Sequence, residues 1–330
     1  MVKFVTFGET MAQYNASYVG SYDENGQYVL DCAGAESNVA VDLLRLGVRD
    51  VEALWVSRLG DDEAGHFILN ELSDRIHVAA PTFGGQRTGV SFLNHLSGDK
   101  HVKKYNREGS AASLLTFDEV RPHLEGADVL HVTGITPALS HTSRQTTLES
   151  LRYARKCGIP VSFDLNYREQ LWTPPEARAV VDEMIPYASL FKLGHDEAEA
   201  IWNKGYSAEQ YASNLQRISG GVVVVTRGMD GAVACDGETL VEHLGYAIDA
   251  LDPVGAGDAF VAGFLGSIFE RNGLREFLHL DRAERKLEIQ KALEVGNVCG
   301  ALTCTRYGDT AAMPTMREVR EFLDRQKALT

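Results

Sequence analysis

The stretch Asp252-Pro253-Val254-Gly255-Ala256-Gly257-Asp258, followed at once by Ala259-Phe260-Val261-Ala262-Gly263-Phe264-Leu265, decides how this chain is read. Two glycines bracket a small residue, an acid follows, and the next run is apolar on every side. A helix that is apolar all round is a buried helix. Gly255 to Gly257 therefore form the expected N-terminal turn of a helix driven into the centre of the protein. Such a turn aims unpaired backbone N–H groups forward, and the helix dipole favours an anion in front of them. A carboxylate beside an anion site calls for a chemical reason. Asp258 is placed to take a proton from a hydroxyl while the amides hold a phosphoryl group. Taken alone, the same turn also reads as a Gly-rich helix entry whose acid suits the dipole.

Outward from this turn, short apolar runs alternate with longer amphipathic ones. Buried strands are predicted at Phe4–Phe7, Val51–Val56, Val129–Val132, Val161–Phe163, Leu190–Leu193 and Val222–Val225. Helices are predicted at Ser37–Leu46, Ala64–Arg75, Ser143–Lys156, Pro175–Tyr187 and Ala208–Ile218. This alternation is that of a mostly parallel sheet with helices on both faces. Strands Ala232–Cys235 and Thr239–His243 follow, and a long helix is expected near Arg285–Thr303. Two segments break the pattern. Residues 13–31 carry a polar, Tyr- and Gly-rich β-like pattern. Residues 82–110 read as a hairpin of Gly89–Leu96, a turn at Ser97-Gly98-Asp99, and His101–Asn106. The economical organisation is one large α/β domain (1–12, 33–81 and 111–330) with a β lid built from two insertions (13–32 and 82–110). Ligands of open α/β sheets bind at the carboxyl ends of the strands. Gly34 to Asn38, Asn166, Arg168, Glu197 and Thr226 to Gly231 all fall at such ends.

Composition bounds the function. The chain has 330 residues, a net charge of −14 and 44% hydrophobic content. The negative charge argues against nucleic acid and anionic membrane as partners. No run of 18 apolar residues is present, so no transmembrane helix is expected. The opening, Met1-Val2-Lys3-Phe4-Val5-Thr6-Phe7-Gly8-Glu9, reads as strand and turn rather than signal peptide, and a cytoplasmic location is expected. Cys32, Cys157, Cys235, Cys299 and Cys304 are odd in number and scattered, which fits reduced thiols and neither a disulfide framework nor a zinc site. His95, His101, His131 and His195 have no metal-ligand spacing and read as solvated or turn residues. No nucleophile elbow occurs, and Gly255-x-Gly257 lacks the first-βα context of a dinucleotide fingerprint.

Ala33-Gly34-Ala35-Glu36-Ser37-Asn38-Val39-Ala40, with Leu43-Leu44-Arg45-Leu46-Gly47, resembles the N-terminal signature of the ribokinase-like (PfkB) carbohydrate kinases. Asp252 to Asp258 resembles their C-terminal signature. Both occur in the expected order over a chain of family length. Within that family the chain looks most like the 2-keto-3-deoxygluconate kinases. The carrying residues are Tyr105-Asn106-Arg107 with Gly109-Ser110-Ala111, Thr133 to Leu139, and Asp164-Leu165-Asn166-Tyr167-Arg168 with Leu171-Trp172.

The resemblance implies a three-layer αβα domain with a mostly parallel sheet and a small β-sheet lid. It implies ATP-dependent phosphorylation of a sugar, with Asp258 as base and Gly255, Ala256 and Gly257 as anion hole. For the sugar it implies Gly34, Asn38, Ser91, Tyr105, Arg107 and Arg168. The planar fork of arginine matches a carboxylate, so the two arginines point to a sugar acid; each also has a plainer reading, as a lid surface charge or a phosphate contact. For ATP it implies Asn166, Arg168, Thr226, Gly228, Gly231, Gly255, Gly257 and Asn297. For metals it implies Glu197 near hydrated Mg2+ and Asp252 near a monovalent cation such as K+. It also implies a homodimer through the lid sheets. Departures are Ala33 for the first glycine of a Gly-Gly pair, Pro253 where threonine is common, Gly194 for the asparagine of Asn-x-x-Glu, and Ser91 for a lid tyrosine. A fructokinase-like activity, action on another keto-sugar acid and an idle sugar-binding regulator on the same fold stay open.

Overall fold

The computed structural model describes residues 1–96, 101–271 and 273–329. The expected turn at Ser97-Gly98-Asp99 lies outside the described residues. In chain order the strands are β1 (Val2–Phe7), β2 (Met11–Val19), β3 (Tyr28–Ala33), β4 (Val51–Val56), β5 (Leu59–Gly60), β6 (His77–Ala79), β7 (Thr82–Phe83), β8 (Val90–His95), β9 (His101–Asn106), β10 (Val129–Thr133), β11 (Val161–Asp164), β12 (Leu190–Gly194), β13 (Val222–Thr226), β14 (Ala232–Cys235) and β15 (Leu240–His243).

Nine of these strands form one sheet in the order β15-β14-β13-β12-β11-β10-β1-β4-β6. Its pairings are parallel from β6 to β13, and β14 and β15 add an antiparallel edge. Burial explains the sequence of these strands. Val222-Val223-Val224-Val225 is buried on both faces, where β-branched residues pack well. Alternate residues feed two cores. Phe4, Val222 and Val224 join one with Leu43, Phe264 and Leu293; Val5, Phe7, Val223 and Val225 join the other with Leu151, Val181 and Tyr211.

Chain order places the site. From β1 the chain goes to β4 and β6 on one side, then returns to β10 through β13 on the other. The order reverses at β1, and the carboxyl ends of β1, β10 and β11 open there into a crevice. Over it stands a four-stranded sheet in the order β3-β2-β8-β9. This small sheet starts at Met11, two residues before the polar pattern does. Thr82–Phe83 pair instead with Leu59–Gly60 in a separate two-stranded ribbon.

The Ala256–Phe269 helix is buried from Asp258 to Gly266 and again at Ile268 and Phe269, as its all-apolar sequence requires. It crosses the Arg282–Cys304 helix closely. A Cβ on Gly263 would lie 2.8 Å from Cys299 Sγ, which fixes glycine there. The predicted Pro175–Tyr187 helix is α-helical only over Pro174–Met184, and a 3-10 turn at Ile185–Tyr187 ends it beside Pro186. Short helices at Phe117–Leu124, Thr136–Leu139, His195–Trp202 and Leu274–Leu278, and a longer one at Met316–Leu329, add to the predicted set.

Candidate active site

Gly255 starts the buried helix in a left-handed conformation (φ +78°), and a Cβ on it would come within 3.1 Å of the Asp309 carbonyl oxygen. Gly255 and Gly257 line the crevice in front of this turn, whose first amides have no intrahelical carbonyl to bond, and the Ala256 amide donates to the Pro253 carbonyl at 3.3 Å. Asp258, in that turn, is 8% exposed. Its Oδ2 accepts a hydrogen bond from Asn38 Nδ2 at 2.9 Å, and its Oδ1 accepts one from Asn166 Nδ2 at 3.3 Å. Burial raises the Asp258 pKa above the ordinary carboxylate value; the Asn38 bond and the charges of Arg168, Lys192 and Lys103 oppose that rise. Asp258 is thus a desolvated carboxylate held by two side-chain amides, chemically able to accept a proton.

Asn38 comes from the Ala35–Leu46 helix, whose N-cap is Gly34. A Cβ on Gly34 would strike the Glu9 carbonyl oxygen at 2.6 Å, so the helix can start here only on glycine. Asn166 follows β11 in a left-handed conformation (φ +43°), a region asparagine tolerates better than most residues. Its Nδ2 also reaches Asp164 Oδ2 at 3.4 Å. Lys192, from β12, pairs with Asp164 at 3.0 Å, with both side chains buried. Burial pushes the Asp164 pKa up against the pull of Lys192. For Lys192, burial acts downward, but Asp164, Glu197 and Asp258 outweigh it and the pKa is raised.

Two cavities meet at this point. The inner one, about 80 Å³, is lined by Gly34, Asn38, Lys103, Tyr105, Arg107, Ile135, Arg168, Gly255, Asp258 and Asp309, with Glu9 behind them. It opens into a cleft of about 510 Å³ lined by Lys103, Tyr105, Asn166, Arg168, Lys192, Glu197, Gly255, Gly257 and Asp258. A Cβ on Gly257 would lie 3.3 Å from Lys192 Nζ, so glycine keeps the floor of that cleft open.

The structure gathers most of the predicted residues and separates some. Arg107 is 9% exposed, and its Nε donates to Glu9 Oε2 at 2.6 Å. Glu9 Oε1 accepts from Ser110 Oγ. Arg168 is exposed, and its Nη1 donates to the Tyr167 carbonyl at 3.2 Å. Ser91 lies opposite Tyr105 but is fully buried; its Oγ donates to Gln13 Oε1 at 3.4 Å, and it lines neither cavity. Both oxygens of Glu197 already accept backbone bonds, from Gly194 N at 2.6 Å and Tyr167 N at 2.7 Å, while its side chain lines the cleft. Asp252 is buried, caps the Val254 amide at 3.1 Å, and lines a third cavity between the small sheet and residues 307–311. Among the described residues no three His, Cys, Asp or Glu side chains gather as metal ligands.

Thr226, Gly228, Gly231 and Asn297 line neither of the two joined cavities. Asn297 and Gly231 meet at another corner: Asn297 Nδ2 donates to the His243 carbonyl at 3.2 Å, and a Cβ on Gly231 would strike that same oxygen. His131 is a core residue of β10 rather than a solvated one. It stacks on Phe4, and burial lowers its pKa to about 3.

Four site residues escaped the sequence reading: Glu9, Lys103, Lys192 and Asp309. Lys192 had a signal, a lone charge within the buried run Leu190-Phe191-Lys192-Leu193. Lys103 had one too, at the strand position that alternation puts on the same face as Tyr105. Asp309 is 3% exposed, and burial pushes its pKa up to about 7.

The model of the pfkB family of carbohydrate kinases matches residues 1–316. The 2-dehydro-3-deoxygalactonokinase of Haloferax volcanii is 33% identical over 327 residues, which cover 97% of this chain and 96% of the relative. The 2-dehydro-3-deoxygluconokinase of Bacillus subtilis (strain 168) is 32% identical over 332 residues, 98% of this chain and 96% of the relative. A solved double mutant of the fructokinase from Vibrio cholerae O395, with fructose, ADP and potassium ion bound, matches with a TM-score of 0.82 at 26% identity, covering 98% of each chain. The matching fold is that of a sugar phosphotransferase. This chain belongs to the pfkB family of carbohydrate kinases.

Proposed function

We propose that this carbohydrate kinase transfers the γ-phosphate of Mg-ATP to the C6 hydroxyl of 2-keto-3-deoxygluconate or its C4 epimer, 2-keto-3-deoxygalactonate. The observation that carries this reading is one cavity walled by Asp258 together with two arginines, Arg107 and Arg168. Arg107 spends Nε on Glu9, which leaves both terminal nitrogens for a carboxylate. Asp258 takes the proton of the attacking hydroxyl. Asn38 and Asn166 orient it, and Gly34 lets the hydroxyl-bearing end of the sugar approach the backbone.

The first-turn amides at Gly255, Ala256 and Gly257 stabilise charge on the transferred group. The donor set fits a nucleotide's phosphates: a glycine-floored cleft that a Cβ would narrow, with Lys192 beneath it and Arg168 beside it. Bound magnesium would neutralise phosphate charge there, with Glu197 reaching it through water. Thr226, Gly228, Gly231 and Asn297 form the nucleoside end, and Asp252 anchors the loop that would hold a monovalent cation. The small sheet serves as a lid that excludes water from the transfer. Its exposed edges favour a homodimer through two such sheets. The relatives' chemistry and the lack, among the described residues, of a helix long and apolar enough to cross a membrane accord with a cytoplasmic enzyme.

A second reading, fructose as the acceptor, gains weight from the same Glu9–Arg107 pair, which already neutralises one arginine. The test is ADP release with Mg-ATP against 2-keto-3-deoxygluconate, 2-keto-3-deoxygalactonate, gluconate, fructose and ribose. A keto-deoxy acid is expected to reach a kcat/KM of at least about 10⁴ M⁻¹s⁻¹. Arg107→Ala and Arg168→Ala should each raise its KM steeply. Turnover of fructose alone, or arginine variants with unchanged KM, would discard the acid.

A further inference from the structure

We propose that Lys103 is a catalytic residue of this kinase, delivered from the small sheet to neutralise the phosphoryl group while it passes between the two substrates. The inference rests on Asp258 as the base of phosphoryl transfer.

The transferred group must cross from the nucleotide cleft to the sugar cavity. Six residues wall both spaces: Lys103, Tyr105, Arg168, Val254, Gly255 and Asp258. Two of the six are cations, and they come from different parts of the fold. Arg168 stands on the loop after β11; Lys103 stands on β9 in the small sheet. Strand alternation fixes which lysine is inside. Lys103 shares the inward face with Tyr105, its Nζ 5.7 Å from that ring centre, whereas Lys104 points the other way, over the Tyr22 ring. Lys103 is half-buried, and among the described residues no carboxylate lies within ion-pair distance of it. Its charge is nonetheless felt by Asp258, Asp309 and Asp31, so it overlooks the acidic floor of the site.

In the step itself, the acceptor O–H proton passes to Asp258. The oxygen forms a bond to the γ-phosphorus, the bond to the β,γ-bridging oxygen breaks, and that electron pair leaves on ADP. Charge spreads over the equatorial oxygens as the group crosses. A compact, mobile ammonium suits that travelling charge, where the planar guanidinium suits a fixed carboxylate. The plain alternative is that Lys103 only balances the aspartates of the free enzyme; that role would alter stability and pKa values and leave the chemical step alone.

The test uses Lys103→Met and Lys103→Arg in the full-length protein, with whichever sugar of the panel turns over fastest. Lys103→Met is expected to lower kcat by about 10²–10³-fold, the usual loss of one preorganised charge-stabilising group, with little change in sugar KM. Lys103→Arg should recover most of the loss. MgADP with fluoroaluminate, a mimic of the transferring phosphoryl, should bind more weakly to Lys103→Met, while MgADP alone binds as to wild type. Unchanged kcat, a loss confined to KM, or unchanged fluoroaluminate affinity would overturn the assignment. Wild-type protein silent on every sugar would sink the proposed acceptor, and the fluoroaluminate comparison would still decide Lys103.

Discussion

Replacing Asn38 with leucine should move the acid limb of the activity profile. Leucine keeps the branched outline of asparagine with some added bulk and removes the Nδ2 donor that holds Asp258 Oδ2 at 2.9 Å. A hydrogen bond to a charged group contributes about 1.5–3 kcal/mol. One pKa unit corresponds to about 1.36 kcal/mol, so the Asp258 pKa should rise by a further one to two units or so. The sign follows from which form is active. Asp258 works ionised, the lost bond favoured that form, and burial already raises its pKa. Activity should therefore fall away at higher pH than in wild type. The assay is kcat/KM across pH, because its acid limb reports the free enzyme and separates this effect from weaker sugar binding on the plateau. Asp164 and Asp309 also have raised pKa values, but the Asn38 side chain makes no hydrogen bond to either. An acid limb that stays in place would refute Asp258 as the titrating base.

Further outcomes follow from the same geometry. Gly255→Ala forces a left-handed alanine with its Cβ 3.1 Å from the Asp309 carbonyl, and should cost about 1–3 kcal/mol, read as a lowered thermal midpoint together with reduced kcat. Glu9→Ala leaves the buried Arg107 without its carboxylate, and should lose about 3–5 kcal/mol in urea unfolding. In the same experiment Glu9→Gln, which keeps an acceptor, should lose less.

Much of this architecture was legible in the sequence because period and burial coincide in it. The valine run of β13 and the all-apolar helix after Gly257 have no reading but buried strand and buried helix. The two β insertions announced themselves by breaking the alternation. Short elements were less visible. β5, β6 and β7 have two or three residues each, too few for a period to appear. The Phe117–Leu124 helix carries Pro122 within it, which masks its pattern. The GAGD turn was legible from its own residues, and Asn38, Asn166 and Arg168 from the strand ends where they fall and from the family resemblance; the structure brings all of them to one crevice. The Glu9–Arg107 pair spans 98 positions, and neither residue advertises the other. Ser91 was read at the sugar, yet the register puts it on the same face of the small sheet as its neighbours Gln13 and Tyr105, where it is fully buried and its hydroxyl meets the Gln13 side chain. That burial depends on neighbours from three strands and so has no local signal in the sequence.

The central claim is that Asp258 is the base, and Asp258→Asn tests it most directly. Asparagine keeps the shape and the contact with Asn38 and cannot take the proton. Turnover of the preferred sugar should fall by about 10²–10⁴-fold, the ordinary contribution of a positioned base, while sugar and nucleotide still bind. Wild-type turnover by a folded Asp258→Asn protein would contradict the claim.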